Sequence, residues 1–195
     1  MSKTKSVTKT VMNIILPILL AIGLAGNIFV LVQSYGLVFS RILACVAILA
    51  ILSAVYYCVK GYKKSSAPAY KAYMILSALF FQGLTVDIAI DLDSYYNVEK
   101  YVLIILIAAN CLIFGLLLLL GFAKDLGKAR TNFIGILSLF FSVGCIINML
   151  IVSPDIGNDN MILLYSRLIS RISLVAVAYS MTQLKYIDKA ERGAK

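Results

Sequence analysis

The chain has 195 residues, 62% of them apolar and 14% charged, with a mean hydropathy of +0.95. Soluble domains run nearer ~45–50% apolar and ~25% charged, so the composition excludes a disordered chain, a disulfide-stapled secreted module and a soluble enzyme. The net charge of +9 would point a soluble protein toward nucleic acid. At this apolar content it reads instead as basic loops held on the cytoplasmic side of a bilayer, and no nucleic-acid partner is expected.

A hydrocarbon core ~30 Å thick needs ~20 apolar residues per helical crossing. Six stretches meet that length: 11–32, 37–59, 72–90, 101–122, 132–152 and 161–184. Only helices and closed barrels satisfy their backbone in lipid, and none of the six alternates with period two, so helices are predicted. The expected fold is all-α: a polytopic integral membrane protein with six transmembrane helices in a single membrane domain, 1–195.

Span 1 follows Lys3, Lys5 and Lys9, as the apolar region of a signal peptide would, and Leu24-Ala25-Gly26 opens like a lipoprotein box. Asn27 stands where that box needs Cys, and the apolar run continues to Val32, so a retained span is expected. Pro17 removes one backbone donor from this helix. Small residues recur at i,i+4 as Ala21 and Ala25 in span 1, Ala50 and Ala54 in span 2, and Ser138 and Ser142 in span 5. Such spacing lets backbones approach closely. Ordinary packing within the bundle is one use of it. Docking of a partner membrane subunit through Ala21, Ala25, Ala50 and Ala54 is the other. Ile75-Leu76-Ser77 in span 3 and Ile136-Leu137-Ser138 in span 5 are similar, which a narrow apolar alphabet produces by coincidence.

Charge alternates from loop to loop. One side carries Lys3, Lys5, Lys9, Lys60, Lys63, Lys64, Lys71, Lys124, Lys128, Arg130, Lys185, Lys189, Arg192 and Lys195, against Asp125, Asp188 and Glu191. The other carries Arg41 and Lys100 against Asp87, Asp91, Asp93, Glu99, Asp155 and Asp159. The basic side is expected to be cytoplasmic, with both termini on it. The pattern fits a multi-pass protein of a bacterial plasma membrane, in contact with the lipid bilayer.

The costly groups are the polar ones inside the spans. A charge near the bilayer centre costs at least ~2.5–3.5 kcal/mol. Span 6 holds two, Arg167 and Arg171, on one face with Ser166, Ser170 and Ser173 and opposite Leu168, Ile172 and Val175. That face should meet protein or water rather than lipid. Gln82 and Asn110 fall near mid-depth; Asn27, Asp87 and Asn148 fall in the outer half. The inner half reads as emptier, with Asn13, Ser180 and Gln183 as its main polar side chains. Two arginines against one well-buried aspartate leave a surplus positive charge, which should meet water, an anionic ligand or a lipid head group. Guanidinium groups bind carboxylate or phosphate through a planar fork. The residues Arg167, Arg171, Asp87, Gln82, Asn110, Asn148 and Asn27 are therefore the candidate site. It would be an outward-facing polar pocket for an anionic or zwitterionic small solute or a lipid head group, in a binding or transport protein. A wholly structural network in a non-transporting accessory subunit of a larger membrane complex is the alternative.

Catalysis is not expected. The chain has no His, which removes the commonest acid–base group and metal ligand. Its four cysteines form no C-x-x-C pair and all fall within spans, where thiols pack as small apolar groups. Asp91 and Asp93 read as a solvated acidic loop, and Asp87 with Asp91 lies too near the surface for an intramembrane aspartyl pair. No metal or cofactor is expected.

Overall fold

The computed structural model describes residues 3–34, 38–60, 67–90, 100–123, 127–152 and 161–192, and the side chains at 10–34, 38–60, 67–90, 100–123, 127–148, 166 and 168–187. Asp91, Asp93 and the side chain of Arg167 lie outside the described residues.

Six helices account for the described secondary structure: α1 (Lys3–Gln33), α2 (Val38–Lys60), α3 (Ala67–Ile90), α4 (Lys100–Phe122), α5 (Gly127–Val152) and α6 (Met161–Arg192). Several outrun the apolar stretches. α1 begins at Lys3 rather than at residue 11, α5 at Gly127 rather than 132, and α6 continues to Arg192 rather than stopping at 184. Hydropathy marks where a helix meets lipid, whereas the helix ends where its backbone hydrogen bonding ends, and Lys and Arg are good helix formers. Gly127, at the start of α5, has φ +69°, a backbone region that glycine occupies without a steric penalty.

Each helix packs on its chain neighbours. α6 returns to α1 to close a ring, and it also reaches α2 and α3 across the bundle. Tyr70 near the start of α3 contacts Leu120 near the end of α4, and Thr131 near the start of α5 contacts Tyr186 near the end of α6. The helices therefore alternate in direction. Lys60, Lys71, Lys128, Arg130 and Lys185 gather at one end of the bundle, here the basic end; Asp87 and Lys100 mark the other, the acidic end.

Leu16 and Leu20 of α1 pack in the core with Tyr73, Met74 and Phe81 of α3, Ile113 and Leu117 of α4, and Leu174 and Met181 of α6. The inward face of α2 is an alanine stripe, Ala44, Ala47, Ala50 and Ala54, each 0–1% exposed. Ala50 and Ala54 are therefore sealed inside the bundle and cannot face a partner subunit. The small side chains bring α2 close to its own neighbours. Ala21 and Ala25 of α1 do remain exposed.

The exterior is apolar. Ile14, Ile18 and Ile22 of α1, Leu49 and Leu52 of α2, Ile104 of α4, and Phe133, Ile136 and Phe140 of α5 all stand exposed. A surface of this kind requires a lipid environment. Five of the helices, α1 to α5, contain segments long and apolar enough to cross a membrane. The protein is thus a helical, multi-pass membrane protein. α6 differs in being polar along one side and, among its described side chains, largely buried. Of these, Ile169, Ile172 and Lys185 are exposed, while Leu168 and Val175 are buried at 4% and 1%.

Candidate functional site: polar seams along α6

The polar face of α6 lies against the small face of α1. A Cβ placed on Gly23 would stand 2.6 Å from Ser173 Oγ, and one on Gly26 would stand 3.3 Å from Ser170 Oγ. Glycine at these two positions lets the helix backbones approach. The hydroxyls are satisfied within α6: Ser170 donates to Ser166 O and Ser173 to Ser170 O, both at 2.9 Å. Asn27, one turn after Gly23, donates from Nδ2 to Gly23 O at 2.7 Å.

At the acidic end of this seam is a small cavity. Its polar lining comes from four helices: Asn27 of α1, Ser40 of α2, Asp87 of α3 and Ser170 of α6; Leu43, Phe80 and Leu84 contribute apolar walls. Its volume is about 10 Å³, room for roughly one water molecule. The lining combines amide, hydroxyl and carboxyl groups. Asn27 donates one amide proton to Gly23 O and Ser170 its hydroxyl proton to Ser166 O, each within its own helix.

The other sequence-predicted site residues are dispersed. Arg171 is 2% exposed. It follows Ser170 on α6, turned ~100° from it, and its charge is felt at Cys145 of α5. Arg41, half-buried, likewise follows the lining residue Ser40 on α2. Asn148 donates to Gly144 O at 2.9 Å within its own helix. Gln82 is half-buried on α3. Asn110 is completely buried, and neither its Nδ2 nor its Oδ1 has a hydrogen-bond partner. Of the six predicted residues whose side chains are described, Asn27 and Asp87 line the cavity.

The basic half, expected to be sparse, holds a dense polar seam. Tyr73 is fully buried and donates to Leu174 O of α6 at 2.6 Å. Tyr70 lies 3.0 Å from Leu120 O and 3.1 Å from Thr182 Oγ1, while Thr182 lies 2.6 Å from Ala178 O. Two hydroxyl protons serve these three contacts, so the hydroxyls share them. Tyr186 lies 2.8 Å from Thr131 Oγ1, which donates onward to Gly127 O at 2.9 Å. Gln183 Nε2 donates to Asn132 Oδ1. Lys185 Nζ stands 4.6 Å from the Tyr70 ring centroid, within cation–π range. These contacts fasten α6 to α3 and α5. Sequence reading named Gln183 in this half but gave Tyr70, Tyr73, Thr182 and Tyr186 no role. The available signal was the spacing of Thr182, Gln183 and Tyr186 on the inner turns of α6.

The four cysteines are free thiols: Cys45 and Cys111 exposed, Cys58 half-buried and Cys145 buried. No family model matches the chain, and no match was found among curated proteins or solved structures.

Proposed function

We propose that the protein is a six-span membrane protein that binds a small zwitterionic solute at the acidic end of the α1–α2–α3–α6 seam. One observation carries this reading: four helices each bring a polar side chain to a single cavity inside the bundle. A lining of amide, hydroxyl and carboxyl oxygens suits an ammonium group. Arg41 and Arg171 follow lining residues in sequence at the same end, and once the helices part their guanidinium forks can turn to the carboxylate end of the same molecule. The closed cavity holds about one water, so binding requires the acidic ends of α1 and α6 to part.

In this reading α6 is the sixth span. Ser166, beside Gly26, and Tyr186, on Thr131, lie ~30 Å apart along α6, a full hydrocarbon thickness. The basic end faces the cytoplasm, with both termini, in a bacterial plasma membrane. No catalytic role, metal or cofactor enters the proposal.

Thermal unfolding against a panel of free amino acids and betaines tests it. At least one zwitterion should raise the melting temperature of the native chain. Asp87→Asn and Arg171→Leu should abolish that rise while the folded bundle persists. If no zwitterion shifts the transition and both variants fail to fold, the polar groups are structural. The accessory-subunit reading then stands, favoured by the exposed Ala21 and Ala25 pair on α1.

A further inference from the structure

The outer surface between α2 and α3 carries a second, larger depression, unrelated to the cavity at the acidic end. It is lined by Leu49, Leu52, Ser53 and Tyr56 of α2 and by Ala69 and Leu76 of α3, with a volume of about 420 Å³. Leu49, Leu52 and Tyr56 are each 51–54% exposed along it. Ser53 donates to Leu49 O at 2.9 Å, so its hydroxyl proton is already used and the groove remains apolar. The small side chain of Ala69 leaves the α3 wall open. One turn beyond Tyr56, toward the basic end, stands Lys60, whose Nζ lies 6.0 Å from the centroid of the Tyr56 ring.

We propose that this groove holds one acyl chain of an anionic phospholipid, with the lipid's phosphate at Lys60. Three features point to that occupant. The first is length. From Leu49 to Lys60 is ~16 Å along α2, close to the ~15 Å depth of one leaflet's hydrocarbon. The second is width. A volume of about 420 Å³ over the ~10 Å from Leu49 to Tyr56 gives a mean cross-section of about 40 Å². A packed helix ~10–12 Å across has a section of ~80 Å² or more, about twice that, so the groove seats a hydrocarbon chain more fully than a helix. The third is charge. An apolar slot that ends on an ammonium group, at headgroup level, complements an apolar tail that ends on a phosphate. The Tyr56 ring beneath Nζ holds that charge at the mouth of the groove.

The test is native mass spectrometry of the full chain in detergent, offered equal amounts of phosphatidylglycerol and phosphatidylcholine with identical acyl chains. The native chain should retain phosphatidylglycerol about fivefold over phosphatidylcholine, the weight of one lysine at an anionic head group. Lys60→Ala should bring the two lipids to parity, whereas Lys128→Ala, at the same end but on α5, should leave the preference intact. Ala69→Trp, which plugs the groove, should lower retention of both lipids. Parity in the native chain would overturn the proposal. So would a preference that survives Lys60→Ala, an equal loss with Lys128→Ala, or undiminished retention by Ala69→Trp. If Ala69→Trp does not fold, the two exposed lysine variants decide.

Discussion

Asn110 lies in the middle of α4, completely buried, with both side-chain polar atoms lacking hydrogen-bond partners. An amide in that state carries a desolvation cost that no contact offsets. Asn110→Leu, which keeps the branching at Cγ with apolar ends, is therefore expected to raise the melting temperature, by the equivalent of ~1–3 kcal/mol. Calorimetry or a thermal-shift assay in detergent checks it. A loss of stability would mean that the amide has a partner in the membrane, and a loss of solute binding would restore it to the site. Asn27 and Asn148 behave differently, since each donates to a carbonyl one turn back in its own helix. All three asparagines look alike in the sequence, as polar groups within apolar spans. What separates them is the carbonyl each can reach, which depends on rotamer and neighbours and not on hydropathy.

Among the helices, α6 determines the architecture. Five helices are long and apolar enough to cross a membrane, whereas Ser170, Arg171, Ser173, Ser180, Thr182 and Gln183 of α6 are buried by the bundle. The amphipathic face containing Ser166, Ser170, Ser173 and Arg171 was legible from spacing alone. Its consequence, a central rather than peripheral helix, follows from the cost of exposing such a face to hydrocarbon. The partner surface was not legible. Gly23 and Gly26 read as ordinary small residues, and only the distance to Ser173 and Ser170 shows their use. The contact gives a direct expectation. Gly23→Val would drive a branched side chain into Ser173 and into Ile51, whose Cδ1 lies 3.2 Å from the built Cβ. It should destabilise the bundle by ~1–3 kcal/mol, measured as a lower unfolding temperature. A neutral result would mean that α1 and α6 are less closely apposed. The basic-half seam was missed for a related reason. A tyrosine near a span end serves equally as an interfacial anchor or as a reach into a neighbour's carbonyl, and only tertiary packing distinguishes Tyr70 and Tyr73 from the exposed Tyr56 and Tyr101.

For the whole molecule, an apolar exterior surrounds a core with one compact polar seam at each end. The basic-half seam is closed by side-chain hydrogen bonds between helices. In the acidic half the Ser170 and Ser173 hydroxyls bond back into their own helix, and a cavity lies between four helices. In the proposed function the acidic end is therefore the part of the bundle that opens. The six helices were legible in apolar length, five of them long and apolar enough to cross a membrane; the cavity was not, because its lining is spread over four helices far apart in the chain. Substituted-cysteine labelling in intact cells, on a background lacking the four native thiols, tests this most directly. Ser40→Cys in the cavity and Lys100→Cys at the acidic end should both react with a small, impermeant thiol reagent added outside, and Lys128→Cys at the basic end should react only after the membrane is opened. A Ser40→Cys that stays inert while Lys100→Cys reacts, or a Lys128→Cys that reacts from outside, would contradict an outward-opening polar chamber.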